Sequence, residues 1–107
     1  MSIKSKLTKK TVASLEKMTG GKLTLAKLIW AIRRCDELSQ VEFAGILNIS
    51  KQHLCDIEKS RKSVSPKLAS EYAKLLGYSE KQFVRLAIQD ELDRQGLRFQ
   101  VELKDAA

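Results

Sequence analysis

Hydroxyl residues recur at short intervals through the middle of this chain, each just ahead of an apolar-periodic segment: Thr24, Ser39, Ser50, Ser65 and Ser79. A hydroxyl in that place accepts a hydrogen bond from an N–H group that the first helical turn leaves without an internal partner. The spacing therefore predicts several short helices rather than a few long ones. Ser39-Gln40-Val41-Glu42 and Ser79-Glu80-Lys81-Gln82 read as capping boxes, in which the fourth side chain reaches back to the cap. Ser65-Pro66 puts proline at the first helical position, and Gly77 and Gly96 are the matching stops. Only Asn48 and Ile49 separate the segment capped by Ser39 from Ser50, so those two helices must meet in a tight turn. The helix after Ser50 is expected to run to about Lys59.

The apolar pattern supports the same division. Leu25, Leu28, Ile29 and Ile32 share one helical face after Thr24; Phe43, Ala44 and Leu47 follow Ser39; Leu54 and Ile57 follow Ser50. Trp30 lies on the opposite side from the first stripe, where the main core cannot cover it. Beyond Gly96 the period changes: Leu97, Phe99, Val101 and Leu103 alternate with Arg98, Gln100 and Glu102, which is a strand pattern. Residues 1–22 form a basic arm in which Val12, Leu15 and Met18 suggest one short helix able to pack against Trp30. The organisation is thus an arm over 1–22, a helical domain over 23–95, and a strand with its tail over 96–107. The expected fold is all-α, five helices with one C-terminal β-strand.

Several function classes find no support. Cys35 and Cys55 are too far apart for a zinc pattern, and a single histidine, His53, cannot complete a metal cluster. There is no Gly-rich phosphate loop and no nucleophile–His–acid arrangement, so neither catalysis nor a cofactor or metal is expected. No apolar stretch approaches the roughly 20 residues that span a bilayer, and the basic start lacks an apolar segment like that of a secretory signal. A cytoplasmic protein with reduced thiols and no membrane partner is expected. The net charge is +7, and its placement matters more than its size. Residues 1–22 carry six lysines against one glutamate, and residues 23–78 nine basic against six acidic side chains. Such a balance suits a polyanion.

The region from Ser39 to Lys59 gives that polyanion a docking geometry. Exposed amides at the helix start after Ser39, joined by the carboxamide of Gln40, can hold a DNA phosphate. The helix after Ser50 is then placed to lie in the major groove, anchored by Leu54 and Ile57. Its outward residues Lys51, Gln52, His53 and Asp56 are the candidate base readers. Lysine donates to guanine acceptors, glutamine pairs with adenine in both directions, and a carboxylate accepts from cytosine N4. Lys59, Arg61, Lys62 and Ser63 just beyond can contact the phosphate backbone.

Two segments, LSQVEFAGILNISKQHLCDIEKSRK and SPKLASEYAKLLGYSEKQFVRLA, carry a resemblance. With the residues around them, Leu28 to Leu86, they are similar to the Cro/cI-type (lambda-repressor-like, XRE) helix-turn-helix domain. The resemblance implies a phosphate-binding role for Gln40, base-reading roles for Lys51, Gln52 and Asp56, and an ion bridge between Arg33 and Glu58. Asn48 stands where the family's turn usually has glycine, and Ser60 where glycine often follows the third helix. The added strand resembles the HipB-like antitoxins, which repress their own operon and bind a toxin. The resemblance implies double-stranded DNA and a cognate toxin as partners, and the lone strand, with no other strand in the sequence to complete it, implies a second copy paired through Leu97, Phe99, Val101 and Leu103. A palindromic operator and repression follow from the same resemblance. The alternative is a protein-interaction module, toxin-neutralising or adaptor, that has little DNA binding and works through Trp30 and the C-terminal strand.

Overall fold

Every helix begins on the hydroxyl that the sequence assigns to it. The computed structural model describes residues 22–106, and these form α1 (Leu25–Cys35), α2 (Gln40–Leu47), α3 (Lys51–Glu58), α4 (Pro66–Leu76) and α5 (Glu80–Arg94). Thr24, Ser39, Ser50, Ser65 and Ser79 each accept from the N–H three residues on. Each such cap is worth about 1 kcal/mol. The box at Ser39 is reciprocal, with Glu42 Oε1 accepting from the Ser39 N–H at 3.0 Å. The box expected at Ser79 forms only its first half. Gln82 Oε1 instead accepts from Nε and Nη2 of Arg85, both at 3.1 Å, because a charged donor outcompetes a backbone amide.

All five helices also end alike. The residue after each helix, or one beyond, is left-handed: Glu37 (φ 55°), Asn48 (59°), Ser60 (60°), Gly77 (76°) and Gly96 (73°). Its N–H bonds to the carbonyl three residues back, and the next residue's N–H reaches the carbonyl five back. This is the Schellman arrangement, whose following residue commonly makes an apolar contact with the helix. Leu38, Ile49 and Tyr78 make that contact, packing half-buried against the core. Glycine is thus not required at Asn48 or Ser60, although a left-handed residue other than glycine costs about 1–2 kcal/mol, least for asparagine.

The buried stripe of α1 (Leu28, Ile29, Ile32) meets Phe43 and Leu47 of α2, Leu54 and Ile57 of α3, and Phe83 and Leu86 of α5. α4 contributes Ala69, Tyr72, Ala73 and Leu76 and packs along α5. α3 is held against α1 and α2, which leaves its far side open. Asp90 on α5 accepts the N–H of Leu25, at the start of α1, at 3.0 Å. Burial pushes its carboxyl above the ordinary aspartate value. Trp30 is 39% exposed, off the core as expected, with the Arg34 guanidinium 5.4 Å from its ring centroid. The expected helix around Val12, Leu15 and Met18 lies outside the described residues. Among the described residues no helix is long and apolar enough to cross a membrane.

The expected strand is not a strand in the single chain. Among the described residues nothing supplies a second strand, and a ladder needs two. Residues 97–105 turn back along α5 instead. Leu97 N bonds Leu92 O at 2.9 Å, and Lys81 Nζ meets Asp105 Oδ1 at 3.0 Å. Between these, Gln89 donates from Nε2 to Phe99 O and accepts at Oε1 from Val101 N, both at 2.8 Å. Val101 and Leu103 are half-covered, while Leu97 and Phe99 remain exposed.

Candidate nucleic-acid interface

The turn between α2 and α3 is short because Asn48 reverses the chain at once: it takes φ 59° and ψ 40°, and Ser50 already caps the next helix. α3 is then fixed by Leu54 and Ile57, 0% and 1% exposed. These two side chains set which face is free. Lys51 and Gln52 are exposed on the first turn, and His53 and Asp56 are partly covered. Lys59, Arg61, Lys62 and Ser63 are exposed in the loop that follows. Ser39 and Gln40 lie at the start of α2, exposed and half-buried respectively.

Around Gln40 the structure adds what spacing alone does not show. Arg33 Nε and Nη2 bond the two Glu58 oxygens at 2.7 and 3.1 Å, and Arg33 Nη1 donates to Leu38 O at 3.0 Å. The bridge implied between α1 and α3 is therefore present, with the two side chains 12% and 4% exposed. Gln40 Nε2 donates to the same Glu58 oxygen at 3.0 Å, so the ion pair also orients the carboxamide at the start of α2. Ser39 gives its N–H to Glu42 and accepts at Oγ from the Glu42 N–H. The Ser39 N–H and then its hydroxyl hold the Glu42 carboxyl below its ordinary value. The N–H groups of Gln40 and Val41 have no intrahelical acceptor and stay available to an anion.

Asp56 is the second organising acid. Its Oδ1 accepts from Gln52 Nε2 at 3.0 Å and lies 3.2 Å from Arg61 Nε, with its side chain 17% exposed. Its carbonyl accepts from Arg61 N at 2.7 Å and Lys62 N at 3.1 Å. The loop after α3 is thus pinned by side chain and backbone together. Asp56, an acid facing a polyanion, is offset by Arg61. The amide of Gln52 is oriented by the same contact, with Oε1 and one N–H left over for a base edge. Cys35 and Cys55 are free thiols.

Two capped helices joined at a left-handed residue, the second presenting Lys51 and Gln52 beside a basic loop, point to DNA. Residues 36–83 match the family model described as helix-turn-helix, from the end of α1 to the first turn of α5. That segment is a helix-turn-helix domain of the Cro/cI type. No curated protein and no solved structure matches the chain. The helix-turn-helix domain makes this protein a DNA-binding regulator. Sequence reasoning missed two contacts among these residues, Gln40–Glu58 and Gln52–Asp56. The second has a signal in the i, i+4 spacing of the pair along α3; the first joins different helices and has none.

Proposed function

We propose that this protein is a cytoplasmic, sequence-specific transcriptional repressor that binds a palindromic operator as a homodimer and acts by occupancy, without catalysis. The observation that carries the reading is the fixed exposure of α3. Leu54 and Ile57 bury one side, while Lys51 and Gln52 are exposed on its first turn with Arg61 and Lys62 alongside. A helix so held enters the major groove N-terminus first, with base contacts from its opening turns and phosphate contacts from its flanks. Gln40, the α2 amides and Ser39 would grip the phosphate on one side, and Lys59, Arg61, Lys62 and Ser63 the phosphates on the other. Lys51, Gln52 and His53 would then meet base edges. Repression follows if the operator overlaps a promoter.

Selection from a random duplex library tests this. The protein should enrich two-fold symmetric sites with half-sites about 34 Å apart. Gln52→Ala should flatten preference at one base position by about 1–3 kcal/mol. Arg61→Ala should weaken all sites alike and reduce the salt slope by about one. Enrichment of no sequence, or an unchanged ranking of point variants by Gln52→Ala, refutes the reading. A second reading, an antitoxin that also binds a toxin, draws on exposed Trp30, which lies on α1 and takes no part in the α3 face.

A further inference from the structure

Gln89 is 4% exposed; both ends of its amide meet the backbone of residues 97–103, and Nε2 also donates to Asp93 Oδ1 at 3.0 Å. It donates to the carbonyl of residue 99 and accepts from the N–H of residue 101, as one residue of a neighbouring strand does in a ladder. In an extended segment those two groups lie on one edge, and the N–H and C=O of the residue between them point to the other. Gln89 therefore closes the edge belonging to Leu97, Phe99, Val101 and Leu103. Among the described residues nothing hydrogen-bonds to the opposite edge, belonging to Arg98, Gln100 and Glu102, and all three residues are exposed. With Leu97 N tied to Leu92 and Asp105 tied to Lys81, the segment is held at three places along α5 with one edge outward.

We infer that this outward edge pairs antiparallel with the same edge of a second copy, in the single register centred on Gln100. The inference rests on the homodimer reading above and goes beyond it by fixing who faces whom. The clamp sets parity: only even residues can exchange hydrogen bonds across the two-fold, so registers that pair even with odd residues are excluded. Charge then chooses among those left. A register one step toward the C-terminus sets Arg98 against Lys104 of the second copy; one step toward the N-terminus leaves Arg98 facing glutamine and Glu102 facing glycine. Larger slips set Arg98 against Arg98 or Glu102 against Glu102. Centring on Gln100 sets Arg98 against Glu102 of the second copy, twice. It also sets Leu97 against Leu103 and Phe99 against Val101, so the exposed Leu97 and Phe99 both gain apolar partners. Like charges directly opposite oppose pairing, and opposite charges support it.

The test uses the full chain carrying Cys35→Ser and Cys55→Ser, with single cysteines introduced along the tail. Gln100→Cys should form a disulfide-linked dimer under mild oxidation, since facing hydrogen-bonded residues sit about 5.5 Å apart, within disulfide reach. Arg98→Cys and Glu102→Cys should not link to themselves, being about 14 Å from their own copies, but a mixture of the two proteins should link. In sedimentation, Arg98→Glu or Glu102→Arg alone should weaken dimerisation about tenfold or more, and the double swap should restore it. A dimer that links through Phe99→Cys or Val101→Cys instead, or at none of these positions, overturns the register alone. So does a double swap no better than the single changes. A parent that is monomeric, or a chain truncated after Gly96 that stays dimeric, overturns the strand-paired homodimer itself.

Discussion

Replacing Glu58 by alanine should damage the domain out of proportion to the size of the side chain. Glu58 is 4% exposed and takes both inner nitrogens of Arg33, itself only 12% exposed. Without the carboxylate, Arg33 keeps the Leu38 carbonyl as its one partner and remains a largely buried cation. Breaking a buried pair in this way costs about 3–5 kcal/mol. We expect Glu58→Ala near 3, because Arg33 retains some water and one acceptor. Arg33→Met should fall nearer 5, because the acid it strands is the more buried partner and keeps only the amide of Gln40. For a domain whose whole stability is about 5–15 kcal/mol, either change would consume a large part of it. The double change Arg33→Met/Glu58→Leu should recover most of the loss, since well-packed apolar residues can replace a buried pair at little or no cost. Urea unfolding followed by circular dichroism gives the cycle. DNA titration separates a second effect: the folded double variant has lost the acceptor that orients Gln40, and should bind DNA more weakly than its stability explains. Single variants within about 1 kcal/mol of the parent, or a cycle without coupling, would refute the reasoning.

Substitutions at Asp56 and Asp90 probe two further acids. On the duplex selected by the parent, Asp56→Asn should tighten binding by removing negative charge while keeping an oxygen for Gln52 Nε2; Asp56→Ala should also tighten it but lose discrimination at the base Gln52 reads, and equal discrimination in all three proteins sinks the positioning role. Burial raises the folded-state pKa of Asp90, so the folded chain holds that proton in a pH window where the unfolded chain has lost it, and stability falls as pH rises through the window. Asp90→Asn, which still offers an oxygen to Leu25 N, should equal or exceed the parent at neutral pH, with the difference vanishing below the ordinary aspartate value. The depressed carboxyls of Glu91 and Asp93, whose contributions are lost as pH falls, are present in both proteins and cancel; an Asn variant less stable at neutral pH than in acid, relative to the parent, contradicts the assignment.

Helix starts and the buried stripes were legible because they are local: a hydroxyl and the N–H it captures lie three residues apart, and a stripe needs only its own helix. Polar contacts between helices have no such period. Gln89 looks like any amide in a charged helix until residues 99 and 101 come back to it, and Gln40 gives no hint of Glu58. The alternation after Gly96 predicts a strand, and the described chain shows an extended segment without a ladder instead. Among the described residues no second strand lies beside it, and the Gln89 side chain takes the place of one, which is why no ladder forms. At Ser79 the box pattern failed for a different reason. A capping box assumes that the fourth residue has nothing better to bond, and Arg85 lies one turn further along.

The helix ends show where local consistency gives way. Five helices stop by one device, and in three of them the residue after the left-handed position is apolar and packs on the core: Leu38, Ile49 and Tyr78. Those stops serve the fold alone. At α3 the corresponding residue is Arg61, a cation turned to solvent and tied to Asp56; at α5 it is Leu97, apolar yet 42% exposed. Neither completes the apolar contact that the motif favours. A folded chain tends to break its own local rules where function requires it. Arg61 lies on the face proposed for DNA, and Leu97 begins the edge proposed for the second copy. Ser60, left-handed without being glycine, stands at the first of these two places. The same backbone turn therefore brings an apolar residue onto the core at three helices and leaves Arg61 and Leu97 exposed at the other two.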